Sequence, residues 1–350
     1  MRRGLLRTGG TALALAAMLG SAAAEPCLRG FNLAGAEFGK LPGVLSKDYT
    51  YPAPSTIDTY VATGATVIRL PIRWERLQPA LGEPLSEAEL AALDATVDAV
   101  TAAGLTVVID VHNYGYYAER QIGSAEVTTD AFAQFWARLA SHYAGREGVV
   151  FSLMNEPYDI AAPDWLKITN AAIAAIRVVG ADNLILVSGT AYAGAHSWSK
   201  TLATGNNADV MAGVVDPDDR YAYDFHQYID ADFSGRNAEC TGAAAAIEGL
   251  RSVTGWLKAH GKHGFLGEFA ASKDPACIAA MKDLVGVVDE APDQWIGWTY
   301  WAGGAWWPDD YIFTAQPDGN GDRPQVAALK PVLGPGNASA CTIPAKGPKP

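Results

Sequence analysis

Two glutamates stand at the exits of short apolar runs. Glu156 follows Val149-Val150-Phe151-Ser152-Leu153-Met154-Asn155 and precedes Pro157; Glu268 follows His263-Gly264-Phe265-Leu266-Gly267 and precedes Phe269. An apolar run of that length reads as a strand buried on both faces. A carboxylate at such an exit costs several kcal/mol unless it is paired. Two of them on one open face would supply what glycosidic-bond hydrolysis requires: one group that gives and takes a proton, and one that acts as nucleophile or base.

Those runs belong to a longer alternation. Strand patterns occupy Gly30 to Ala34, Thr66 to Pro71, Thr106 to Asp110, Val149 to Asn155, Asn183 to Ser188, Tyr223 to Tyr228, His263 to Glu268 and Gln294 to Tyr300. Helical patterns lie between most of them: Ser55–Thr63, Ser86–Ala103, Thr129–Tyr143, Asp164–Val179, Ala243–His260 and Pro275–Val288. Ser86 and Glu89 have the spacing of a capping box. The alternation predicts a single-domain α/β (β/α)8 barrel, with an open doubly wound sheet as the rival.

In a barrel the reactive groups sit at the carboxyl ends of the strands. Those positions hold Arg69, Asp110, His112, Asn113, Tyr114, Asn155, Glu156, His226, Tyr228, Glu268 and Trp301. Pro157 biases Glu156 towards extended backbone. His226 and Tyr228, two apart on a strand, face the same side and can orient a carboxylate or a sugar hydroxyl. Asp110, His112, His226 and Glu268 could instead hold a metal, but Asn155-Glu156-Pro157 would then have no task. Trp165, Trp198, Trp306 and Trp307 also follow strands and divide between core and sugar platform, whereas Trp136 and Trp256, inside helical patterns, read as core.

Composition narrows the partners. The chain of 350 residues carries a formal charge of −12 and 49% hydrophobic residues, with ten tryptophans. That balance disfavours nucleic acid and anionic membranes and suits a neutral polymer bound by aromatic faces. Arg2, Arg3 and Arg7, an apolar run from Thr11 to Leu19 and Ala22-Ala23-Ala24 read as a secretory signal over residues 1–24, with a loose twin-arginine match. Residues 25–341 would form the catalytic barrel and 342–350 a flexible tail. Asn337-Ala338-Ser339 is a glycosylation sequon. In an exported protein Cys27, Cys240, Cys277 and Cys341 suggest two disulfides, and Cys27–Cys341 with Cys240–Cys277 is the favoured pairing of three possible. No motif asks for a cofactor or metal, and a monomer is expected.

The motifs together resemble glycoside hydrolase family 5, and within it the secreted endo-β-1,4-glucanases. The resemblance rests on Gly30-Phe31-Asn32-Leu33-Ala34-Gly35, Ile68-Arg69-Leu70-Pro71-Ile72-Arg73-Trp74, Val108-Ile109-Asp110-Val111-His112-Asn113-Tyr114, Asn155-Glu156-Pro157, His226-Gln227-Tyr228, Gly267-Glu268-Phe269 and Trp298-Thr299-Tyr300-Trp301. It implies Glu156 as acid/base and Glu268 as nucleophile of a retaining mechanism, with Arg69 and Tyr228 supporting the nucleophile. It places Asn155 on the sugar 2-hydroxyl, His112 and His226 along the reacting subsite and Trp301 as its floor. The carboxyl groups should then lie about 5–5.5 Å apart, with Glu156 in a less polar setting than Glu268. A β-mannanase on the same frame and an inactive carbohydrate-binding barrel are the alternatives.

Overall fold

The computed structural model describes residues 25–334 and 340–346. The expected signal segment, the sequon and the last four residues lie outside the described residues. Eight parallel strands close into a barrel in chain order: β1 (Leu28–Leu33), β2 (Val67–Ile72), β3 (Thr106–Val111), β4 (Val149–Ser152), β5 (Ile185–Ser188), β6 (Tyr221–His226), β7 (Gly264–Glu268) and β8 (Trp295–Gly303). The helices around it are α1 (Pro54–Val61), α2 (Glu87–Ala102), α3 (Thr129–Tyr143), α4 (Ala162–Val178), α5 (Ala243–His260), α6 (Pro275–Asp289) and α7 (Pro324–Leu329). Between β5 and β6 only a short helix, Asn207–Val210, and 3-10 turns intervene. Among the described residues no helix is long and apolar enough to cross a membrane.

The strand runs are apolar on both faces because both faces are covered. Residues such as Phe31, Ile68, Ile109, Phe151 and Leu266 join the helices in the main core. A second cluster takes Leu28, Val67, Val108, Val150, Leu186, Ala222, Phe265 and Ile296, one from each strand, and so fills the barrel interior. Two residues further along the same faces stand Arg69, Asp110, Ser152 and Asp224, all buried. The two-residue period of a strand thus stacks a charged layer on an apolar one.

At the base, Glu25–Pro26 pairs antiparallel with Ala340–Cys341, and Cys27 is bonded to Cys341 across a separation of 314 residues. Cys240 is bonded to Cys277, from the stretch after β6 to α6. Both favoured pairings are present. The start of the expected free tail is docked instead: Ile343 packs on the interior cluster, Pro344 is buried and Lys346 lies 3.6 Å from Asp182. Only half of the capping box forms. Ser86 Oγ accepts from the Glu89 amide, while the Glu89 carboxylate accepts the hydroxyls of Tyr49 and Tyr51.

Candidate active site

Arg69 is the centre on which the site is built. Its fully buried guanidinium donates to Glu268 Oε1 at 2.7 Å, Asn32 Oδ1 at 2.8 Å and Asn155 Oδ1 at 2.8 Å, and lies 3.0 Å from Asp110 Oδ1. Asp224 Oδ2 is 4.0 Å away. Ser152 Oγ donates to Asp110 and to Asp224. A guanidinium is the side chain whose planar fork can serve this many oxygens at once. Burial alone would lower its pKa, but the charges of Asp110, Glu268 and Asp224 raise it instead.

Glu268 ends β7 beside His226, its register partner on β6. Its other oxygen accepts the Tyr228 hydroxyl at 2.8 Å and lies 3.5 Å from His226 Nδ1. Burial pushes the Glu268 carboxyl up, but His226 and Arg69, then His112 and the Tyr228 hydrogen bond, hold it below its ordinary range. The preceding residue must be glycine for a spatial reason: a Cβ on Gly267 would stand 2.2 Å from Asp224 Oδ1. Asp224 itself is pushed up to about 6 by burial, with Arg69 and His226 opposing and Asp110 and Glu268 adding to the rise.

Glu156 arrives differently from the extended geometry that Pro157 suggests. β4 stops at Ser152, and Asn155 is tied to the end of β3 by its amide on the Val111 carbonyl at 2.8 Å. Glu156 then turns through the left-handed region, φ 43°. A non-glycine residue held there costs about 1–3 kcal/mol, and the turn aims the carboxylate back over the barrel mouth. Its Oε1 meets His226 Nδ1 at 2.7 Å, and its side chain is 17% exposed. The less polar setting expected for Glu156 is therefore replaced by a hydrogen-bonded imidazole. Burial pulls His226 down, but Glu268 and the Glu156 contact push it up to about 9. One oxygen of Glu156, one of Glu268 and a nitrogen of His226 all lie within 4.8 Å of one another. Asp110 and His112, needed for the metal arrangement considered from sequence, are paired with each other at 2.7 Å, with Asp110 also on Arg69.

A cleft of about 830 Å³ opens over this pair. His112, Tyr114, Glu156, His226, Tyr228, Glu268 and Trp301 line it, as expected. Trp301 stacks on His112 with centroids 5.4 Å apart and donates its indole N–H to Tyr311 at 3.0 Å. Trp307 packs edge-on against Trp301 at 6.3 Å and stacks on Tyr311, but does not itself line the cleft. Asn155 is buried behind the mouth; its side-chain oxygen is taken by Arg69, and its Nδ2 has no partner among the described residues.

Four further candidates, offered by the sequence as strand-end groups or as either core or sugar platform, go elsewhere. Trp165 is fully buried and donates to the Ser188 carbonyl at 2.7 Å. Trp198 is fully buried against Phe225, Tyr223 and Trp256. Asn113 accepts from the Trp74 amide and donates to Glu75, which fastens the segment after β3 to the short helix Trp74–Leu77. Trp306 is exposed and does not line the cleft.

The structure adds residues that sequence reading passed over. Asn32 and Asp224 belong to the Arg69 layer, and the alternation that joins His226 to Tyr228 would have reached Asp224. Tyr158 and Tyr192 stack at 5.1 Å on the cleft wall, where Tyr192 follows Ala191 and precedes Ala193 in three successive left-handed residues. Glu37, pushed up to about 7 by burial despite His112 nearby, has Oε1 enclosed without a partner among the described residues.

Similarity agrees with this geometry. The family model for cellulase (glycosyl hydrolase family 5) matches residues 24–304. Endo-beta-1,4-glucanase B of Emericella nidulans is 36% identical, over 87% of this chain and 93% of its own length. An endo-beta-1,4-glucanase structure from Xanthomonas axonopodis pv. citri is 43% identical, covers 89% of this chain and 100% of its own, and superposes with a TM-score of 0.86. The structure of XacCel5A in complex with cellopentaose is 44% identical, with 87% and 98% covered and a TM-score of 0.85. With its eight-stranded barrel, its buried arginine under two carboxylates and a match over most of its length, the chain belongs to glycoside hydrolase family 5.

Proposed function

We propose that this chain is a secreted, retaining endo-β-1,4-glucanase that acts as a monomer on cellulose-like or mixed-linkage β-glucan. The observation that carries this reading is the closeness of the two carboxylates, with oxygens within 4.8 Å. Retaining enzymes hold the pair about 5–5.5 Å apart, whereas inverting ones need about 6.5–9.5 Å to admit a water. Glu268, kept ionised by Arg69 and Tyr228, attacks the anomeric carbon as the glycosidic C–O bond breaks. Glu156 delivers a proton to the departing oxygen. The Glu156–His226 contact carries that proton, and esterification of Glu268 removes one of the negative charges that favour it on His226. Glu156 then takes a proton from water, which attacks the glycosyl-enzyme and restores both carboxyl groups.

Substrate positioning follows from the groups left over. Asn155, whose Nδ2 is enclosed without a partner among the described residues just behind the cleft, is the proposed contact for the sugar 2-hydroxyl, and Trp301 offers a ring face backed by His112. The relatives' names and the cellopentaose complex support a β-1,4-glucan as polymer. The signal pattern in residues 1–24 supports export.

The test is reducing-sugar release from carboxymethylcellulose, barley β-glucan, glucomannan and xylan, with the anomeric form of the first product followed by NMR. Release should be highest on the first two, unchanged by a chelator, with the β-anomer appearing first. Preference for glucomannan would replace the polymer but keep the mechanism. No release from any of them would overturn the proposal. Trp301→Ala should weaken cello-oligosaccharide binding by about 1–3 kcal/mol, the worth of one stacked ring; calorimetry showing unchanged affinity would assign Trp301 to the core.

A further inference from the structure

The stretch after β6 turns back on itself around one buried carboxylate. Asp230 is 2% exposed. It accepts from the amides of Gly235 at 3.1 Å, Arg236 at 3.2 Å and Asn237 at 3.3 Å, from the Asn237 side chain at 3.2 Å and from the Ser234 hydroxyl at 3.1 Å. Five donors on one carboxylate fix the backbone of residues 234–237. The Cys240–Cys277 disulfide anchors the chain just beyond them.

The fixed segment meets a residue that touches the reacting carboxylate. Gly235 has φ 67°, and an added Cβ would lie 2.6 Å from both Cδ1 and Cε1 of the Tyr228 ring. Heavy atoms do not approach that closely, so the ring would have to move. Tyr228 is buried, packs against Phe313 at a centroid distance of 6.2 Å, and donates its hydroxyl to Glu268 Oε2 at 2.8 Å. A side chain at position 235 therefore cannot be accommodated without disturbing the hydrogen bond to Glu268.

We propose that the Asp230-centred loop is a positioning device for the nucleophile: it seats Gly235 against the Tyr228 ring and so holds the phenol on Glu268. The inference rests on Glu268 being the nucleophile. Asp230 and Gly235 touch neither the reacting atoms nor Glu268; they act through Tyr228. Gly235 itself and the neighbouring Asp232, Phe233, Ser234 and Arg236 also line the cleft. A loop that served only as cleft wall would change substrate affinity, whereas a positioning loop changes the chemical step.

The experiment is a double-mutant cycle. Gly235→Ala, Gly235→Asn and Asp230→Ala are each made in the wild type and in Tyr228→Phe, and kcat and KM are measured on a soluble cello-oligosaccharide. Asn tolerates positive φ better than Ala does, so equal losses for the two identify the Cβ contact and not backbone strain as the cause. Each substitution should lower kcat about tenfold, the lower end of what a lost hydrogen bond to a charged group costs, with KM changed less than about twofold. In the Tyr228→Phe background the same substitutions should change kcat by less than about twofold, because the bond they disturb is already absent. Equal losses in both backgrounds, or a rise in KM at constant kcat, would overturn the proposal. Glu268→Ala is assayed alongside: retained activity there would instead remove the nucleophile assignment on which the inference stands.

Discussion

Replacing Glu268 with Ala should reduce kcat on the order of 10⁵-fold, as removal of a nucleophile does where no other group can take its place. Around it stand Arg69, Tyr228, His226 and Glu156, and none of them offers a second carboxylate on the side from which Glu268 attacks. Binding of cello-oligosaccharide should survive, since Trp301, His112 and Asn155 are untouched. Folding should survive too, because Arg69 keeps Asp110 at 3.0 Å. Azide fits the space vacated by a carboxylate and carries the same charge. On an aryl cellobioside it should restore turnover and yield the α-glycosyl azide, inverted relative to the β-linked substrate. Undiminished turnover in Glu268→Ala, or rescue giving a β-azide, would falsify the nucleophile assignment.

Arg69→Ala should be the most destabilising single change in the barrel. It leaves Glu268, Asp110 and Asp224 facing one another in a dry layer with no cation on β2. Removing one partner of a buried ion pair costs about 3–5 kcal/mol, on the order of 10 °C in melting temperature for a chain of this size. A melt within a degree or two of wild type would show that the layer is far wetter than its burial indicates. Arg69→Lys separates charge from geometry. It keeps a cation but cannot fork between Glu268, Asn32 and Asn155, so it should melt between wild type and Arg69→Ala. Its pH profile has a definite sign. The folded-state pKa of Glu268 is depressed, so activity is present above it and is lost as pH falls through it. Weaker support from position 69 leaves His226, His112 and Tyr228 to oppose burial, and the acid limb of kcat/KM should move to higher pH.

What sequence determined here was what local rules reach. Apolar runs and helical periods fixed the eight strands and their order, because each strand of a barrel is covered on both faces and each connection is a helix or a short turn. The carboxyl-end rule then collected Arg69, His112, Asn155, Glu156, His226, Tyr228, Glu268 and Trp301, and the structure gathers all eight at the carboxyl end of the barrel, with Arg69 and Asn155 buried beneath the cleft that the other six line. It failed where a side chain's direction depends on distant packing. Trp165 and Trp198 come after strand patterns in the sequence just as Trp301 does, yet Trp301 lies in β8 itself while a helix face turns Trp165 inward and the α5 contact of Trp256 covers Trp198. Asn113 stands next to His112 but points the other way along the chain, to Trp74 and Glu75.

Tertiary structure alone decided the electrostatics. No local pattern says that Arg69 would meet Glu268, 199 residues away, which only the family resemblance implied, or that His226 would stand between two carboxylates. Nor could the sequence show that Glu156 abandons the extended backbone favoured before proline, or that Gly235 lies against the Tyr228 ring. Periodicity is a property of neighbours along the chain, so it survives in one dimension. Charge pairing and close approach are set by barrel closure, which makes neighbours of residues hundreds of positions apart, and so they exist only once the chain has folded.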